Sequence, residues 1–195
     1  MVDGKAIRGV TRPVFIHNGP YFLTDLAIYR DGALDCWGLV DFDEFCEKVR
    51  NGWVVTRPPD GAQISIHHLA SFTTGEVQYA ITGDDLIAEV RDAIEALNDR
   101  PTSSETCQSA FDAFNENPTD EALDQLKRAY EAVPSHLRRY LGDMDVKDVP
   151  IRMAIYGEGE IEKWSHRIVS RRHRLLPLPT IRVPGLIKRQ KPPES

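Results

Sequence analysis

Cysteine is scarce in this chain and never closely paired. Cys36, Cys46 and Cys107 are the whole complement. An odd number without CxxC spacing argues against a disulfide framework or a zinc site, and predicts buried, reduced thiols. Long apolar runs are missing as well. Charges interrupt every candidate within a few residues, and the start MVDGKAIRGV has neither an apolar signal core nor a small-residue cleavage site. No spanning helix and no secretory signal is expected, so the reading is a cytoplasmic protein without a membrane partner.

Complete catalytic signatures are also lacking: no P-loop, GxSxG or HExxH pattern occurs. Asp143, Asp145 and Asp148 lie close together in GDMDVKD, but a calcium loop would need glycine at the sixth position and glutamate at the twelfth, where Asp148 and Ala154 stand. An aspartate-nucleophile phosphatase motif would need Thr or Val where Lys147 lies. In YGEGEIE the third glycine of a dinucleotide turn is replaced by Glu162, among acids that would repel a pyrophosphate. No cofactor is expected.

What is present suits a globular chain. The 195 residues are 41% hydrophobic and 28% charged, enough to bury a core, and the length fits one domain with an elaboration. The net charge of −6 hides a division. From Lys163 onward nine Lys/Arg face one acid, a net of +8, and the remainder carries 15 Lys/Arg against 29 acids, a net of −14. Such polarity points to a basic arm that meets an acidic surface, on a partner or on the protein's own body.

The apolar periodicity predicts an α+β fold. PVFIHNGPYFLTDLAIYRDGALDCWGLV reads as antiparallel strands, with a turn at Asn18-Gly19-Pro20 and a two-residue hairpin loop at Asp31-Gly32. That loop sets Ile28 opposite Asp35 and Leu26 opposite Trp37, and it places Asp25 and Cys36 on one face with Tyr29. Asp41 and Glu44 start a short packing helix that Asn51-Gly52 stops. WVV and AQISIHHLASF add strands, the latter with His67 and His68 on opposite faces, so that they cannot chelate one metal together. This sheet occupies residues 1–81.

A helical block is expected over 82–142, inserted in the same domain. Its first helix is capped by Thr82 with Asp85, its second by Ser103 or Ser104, and its third starts at Asn117 with Pro118 at the first helical position. A short fourth follows Pro134. Residues 143–176 supply PIRMAIYG as a returning strand and the basic helix EIEKWSHRIVSRRHR, before a proline-rich basic tail over 177–195. Trp37, Trp53 and Trp164 are expected as core anchors.

Two side-chain sets are candidates for function. Asp25, Asp35, Cys36, His67 and His68 would converge on the sheet in a small metal-assisted or thiol-dependent enzyme. Lys163, Arg167, Arg171, Arg172 and Arg174 would form a partner-binding face on the C-terminal arm, with nucleic acid as one possible ligand. The stretches IHNGPYFLTDLAIYRDGALDCWGLVDFDEFCEKVRNGWVV and DMDVKDVPIRMAIYGEGEIEKWSHR resemble an uncharacterised family of bacterial proteins. That resemblance implies a bacterial cytoplasmic protein and brings no activity, cofactor or catalytic residue with it.

The leading expectation is a non-enzymatic protein that binds or regulates another protein, in the manner of an immunity protein or antitoxin. Its motivation is the acidic body: Glu76 to Gln125 holds 13 acids against Arg91 and Arg100. Such a surface steers and binds basic partners.

Overall fold

A computed structural model of the chain describes residues 7–142 and 147–157. The basic helix with Lys163, Trp164, Arg167, Arg171, Arg172 and Arg174, the tail, and Asp143 and Asp145 lie outside the described residues. The chain divides into two compact units between Thr102 and Ser103, not after residue 81.

The first unit is built on a long hairpin, β1 (Gly9–His17) and β2 (Tyr21–Tyr29), paired from Gly9–Tyr29 to His17–Tyr21. β3 (Leu34–Asp35) and β4 (Leu39–Val40) extend it beyond β2, and β5 (Val54–Val55) pairs with Phe15 and Ile16 of β1. Among the described residues β1 has a free edge between Gly9 and Val14, which is where a strand tolerates a proline such as Pro13. β6 (Gln63–Ile66) and β7 (Ala70–Thr73) form a second hairpin. It joins Tyr21–Leu23 of β2 through a parallel pairing, the other pairings among the described residues being antiparallel.

Two helices cover one face of this sheet. α1 (Phe42–Arg50) starts where Asp41 accepts the Glu44 N–H at 2.8 Å, and stops at Asn51 before Gly52, whose φ of 82° suits glycine. α2 (Gly83–Leu97) has the full Thr82–Asp85 capping box. Val14, Ile16, Leu26, Ile28 and Leu34 from the strands meet Phe45 of α1 and Leu86 and Val90 of α2. Each such side chain contributes roughly 1.5–3 kcal/mol before entropy is counted. α2 therefore belongs with the sheet, because its stripe is half of the sheet's core.

The hairpin register differs from the sequence expectation by one residue. Ala27 lies opposite Asp35 and Ile28 opposite Leu34, because the loop holds three residues, Arg30, Asp31 and Gly32, closed by Tyr29 and Ala33. A one-residue slip exchanges the two faces. Cys36 thus points into the core at 1% exposure, while Asp25 and Asp35 share the opposite face.

The second unit packs α3 (Ser103–Glu116), α4 (Asp120–Ala132), a 3-10 turn at Arg138–Tyr140, and α5 (Val149–Tyr156) around Cys107, Phe114, Leu126, Tyr130 and Met153. α4 is capped by Thr119, which accepts the Ala122 N–H, rather than by Asn117. The segment PIRMAIYG is helical and not a strand. Pro150 in the first turn and Gly157 (φ 84°) at the end bound it, and Val149, Ile151, Met153 and Ala154 are its buried residues.

Candidate functional site

Two tight chain reversals decide where the chemistry-bearing side chains go. The first separates β3 from β4 over Cys36–Gly38, where the sequence reading carries one strand straight through. Asp35 Oδ1 accepts the Gly38 N–H at 3.0 Å, and the Cys36 N–H donates to the Gly38 carbonyl at 3.3 Å. Trp37 takes φ 66° and Gly38 φ 151°. A bulky residue in left-handed backbone costs about 1–2 kcal/mol, so the surroundings must hold it there.

The consequence is a display of Trp37. It is 48% exposed rather than a core anchor, and its ring lies on Phe22 at 4.9 Å and 51°. Cys36 faces inward instead. Burial first, and then Asp35 and Glu44, push its thiol above the ordinary value against the opposing charge of Lys48. Trp53 is the partly buried tryptophan of the sheet core. Its Nε1–H donates to the Cys36 carbonyl at 3.3 Å, and the Lys48 ammonium sits 5.3 Å from its ring centre.

The second reversal is His67–Leu69 between β6 and β7, with His68 at φ 53° and the Leu69 N–H donating to the Ile66 carbonyl. Both histidines are exposed, and their ring centres are 3.8 Å apart, so they do not point to opposite faces of a strand. The turn overrides the alternation that a continuous strand would impose.

The five catalytic candidates are therefore not brought together. Asp25 and Asp35 share the outer sheet face, Asp35 serving as a turn acceptor. Cys36 lies in the core, and His67 and His68 cap a hairpin. Among the described residues no group of three or more His, Cys, Asp or Glu is placed to hold a metal ion. Among the described residues, too, no helix is long and apolar enough to cross a membrane.

What the fold does assemble is an open cleft at the β1–β2 turn end of the sheet. Phe22, Ser65 and Ser71 lie in a row across β2, β6 and β7. Gly19, Pro20, Tyr21, Pro59, Asp60 and Gly61 line with them an open volume of about 820 Å³. His17 stacks on Tyr21 at 4.4 Å and 8° beside the turn. The exposed contact of Trp37 on Phe22 is what the strand reading missed. The available signal was the Trp-Gly dipeptide in DCWGL, a turn mark inside an apolar run.

These features define an α+β protein of two units, the first an open sheet with helices on one face and a displayed tryptophan at its end. Residues 1–101 match the model described as Domain of unknown function (DUF7638), and residues 102–176 match that of Domain of unknown function (DUF7639). The chain belongs to the DUF7638 family, and its family boundary falls one residue from the structural division. No curated protein and no solved structure matches it.

Proposed function

We propose that this is a cytoplasmic, non-enzymatic protein that binds or regulates another protein, as an immunity protein or antitoxin does. The observation that carries the reading is Trp37, held in costly left-handed backbone with half its surface exposed against Phe22. Strain is retained where a function needs the geometry it fixes, and exposed tryptophan is the residue most enriched among dominant interface contacts. The partner's expected chemistry is an apolar insert carried on a basic surface. Exposed carboxylates surround the first unit's helix starts, at Asp41, Asp43, Glu44 and Asp84, and they recur on the second unit at Asp112, Glu116, Asp120, Glu121 and Asp124. A field of that sign raises the encounter rate with basic proteins.

The test is affinity capture from the native host with the intact chain and with Trp37→Ala. A partner retained by the wild type, weakened at least tenfold by the substitution and released by salt supports the proposal. A capture profile that Trp37→Ala leaves unchanged, from a variant with native circular dichroism, rejects it.

A further inference from the structure

We propose that two copies of this chain pair edge to edge through β7, antiparallel, with Phe72 opposite its own counterpart. An unpaired strand edge invites a further strand, and proteins guard such edges with proline, charge or brevity. Among the described residues the sheet guards β1, β4 and β5 in these ways. β1 carries Pro13 on its free part, β4 is two residues long and runs into Asp41, and β5 is two residues long and is followed by Arg57-Pro58-Pro59. β7 has none of these devices. Its residues Ala70–Thr73 hold no charge and no proline, are exposed throughout, and pair with β6 alone among the described strands. Phe72 is 48% exposed there.

Charge and register both select a second copy. Residues 1–102 hold 16 acids against nine Lys/Arg, a net of −7, so two copies repel over most of the first unit. Residues 61–75 contain no Asp, Glu, Lys or Arg in a chain that is 28% charged, and this neutral wing is where two copies can approach. A basic partner of the kind proposed above would gain nothing from it. The edge also complements itself. The Thr74 N–H donates to the Ala62 carbonyl at 2.9 Å, so by alternation Ala70 and Phe72 turn their backbone groups to β6, and Ser71 and Thr73 turn theirs outward. With Ser71 opposite Thr73 of the second copy, those groups exchange hydrogen bonds and a two-fold axis repeats the exchange. Phe72 then meets Phe72 of the second copy in the closer, non-hydrogen-bonded kind of pair. The row Tyr21–Ile64–Phe72, on the sheet face away from the helices, thus continues from one molecule into the other. The antiparallel sense sets each Glu76 toward the His67–Leu69 turn of the other copy and away from the other Glu76. A contact of one short strand falls below the roughly 1,000 Å² of a lasting interface, so the dimer forms and dissociates with concentration.

The experiment uses the full chain. Sedimentation equilibrium of the wild type should show a monomer–dimer equilibrium. Phe72→Lys, which sets two ammonium groups face to face, should weaken it about tenfold or more while circular dichroism stays native. Mild oxidation of added cysteines reads the register, the three native thiols being buried. Phe72→Cys should give covalent dimers several times faster than Ser71→Cys or Thr73→Cys, neither of which lies opposite its own counterpart. A wild type that stays monomeric up to about 1 mM, the weak end of specific association, overturns the proposal. So does an equilibrium that Phe72→Lys leaves unchanged, or cross-linking that is fastest at position 71 or 73. Cross-linking of Phe72→Cys in host extract to another protein and not to itself overturns it as well. The proposal does not rest on Trp37, so it and the reading above fail separately: Trp37→Ala removes capture and leaves the dimer.

Discussion

The Arg12 guanidinium grips the Glu89 carboxylate with two nitrogens, Nε to Oε2 at 2.7 Å and Nη2 to Oε1 at 3.3 Å. The pair joins the edge portion of β1 to the middle of α2, at the margin of the core that Val14 and Val90 fill. Glu89 is the more buried partner, at 15% side-chain exposure against 41%. Two-pronged pairs of this geometry are the stronger kind, and losing one partner leaves the other partly desolvated. Arg12→Ala should therefore lower the stability of the intact protein by about 1–2 kcal/mol. A double-mutant cycle with Glu89→Gln in urea unfolding should return a coupling of about 1 kcal/mol. Additive effects would show that the helix docks by its apolar stripe alone.

Trp37→Gly should separate display from support. A tryptophan that holds a core together costs about 3–5 kcal/mol when truncated. Here glycine relieves the left-handed backbone at φ 66° and forfeits mainly the contact with Phe22. The expected change is within about 1 kcal/mol of wild type by chemical denaturation. A loss several times larger would make Trp37 a structural residue and remove the basis for a binding role.

The three thiols should be inert in the folded protein. Cys36, Cys46 and Cys107 are buried, and burial is the largest cause raising each thiol above its ordinary value. Because the thiolate is the reactive form, a disulfide reagent at neutral pH should modify them slowly, and all three at once when denaturant is added. Fast native labelling of Cys36 would instead reveal an opening of the Cys36–Gly38 turn.

The second unit should lose stability in alkali. Burial pushes the Cys107 thiol up to about 11. Above pH ~9 the unfolded chain gives up that proton first, so the unfolded state binds fewer protons and stability falls, by about 1.4 kcal/mol per pH unit until the folded thiol also ionises. Tyr130 acts in the same direction from pH ~10 upward. Burial and its hydrogen bond to Asp148, 2.6 Å from its hydroxyl, hold the phenol protonated in the folded state. Thermal unfolding of Cys107→Ala followed into the alkaline range should show a shallower decline than wild type. Parallel declines would assign the effect to other groups.

Features specified within a few residues could be read from the sequence. Thr82 with Asp85, and Asp41 with Asn51-Gly52, mark their helices because a cap is a local hydrogen bond between side chain and nearby backbone. The α+β class followed from strands preceding a run of helices. What depended on a single residue of spacing did not survive. Asp31-Gly32 signals a tight turn but does not fix whether its loop holds two residues or three, and that one residue decides whether Cys36 or Asp35 faces the core. PIRMAIYG shows the same limit in a short apolar run, where β-branched residues suggested a strand and only the flanking Pro150 and Gly157 distinguish a helix. The cleft was least legible, since its row of Phe22, Ser65 and Ser71 exists only once β6 has found β2.

That meeting of β6 with β2 also sets an order of events. β6 and β3 share one side of β2, at Tyr21–Leu23 and at Ala27–Ile28, and among the described residues Thr24 to Leu26 have no strand neighbour there. The β1–β2 hairpin closes across three residues, whereas Tyr21 can meet Ile64 only after more than forty intervening residues are gathered in, and ordering cost grows with the logarithm of that separation. The wing carrying β7, exposed along its whole length, should therefore assemble late and fray early. In hydrogen exchange the Ile28 amide should outlast that of Ile66. The protein would then be able to open its cleft by detaching one wing while the helix-backed half of the sheet stays folded.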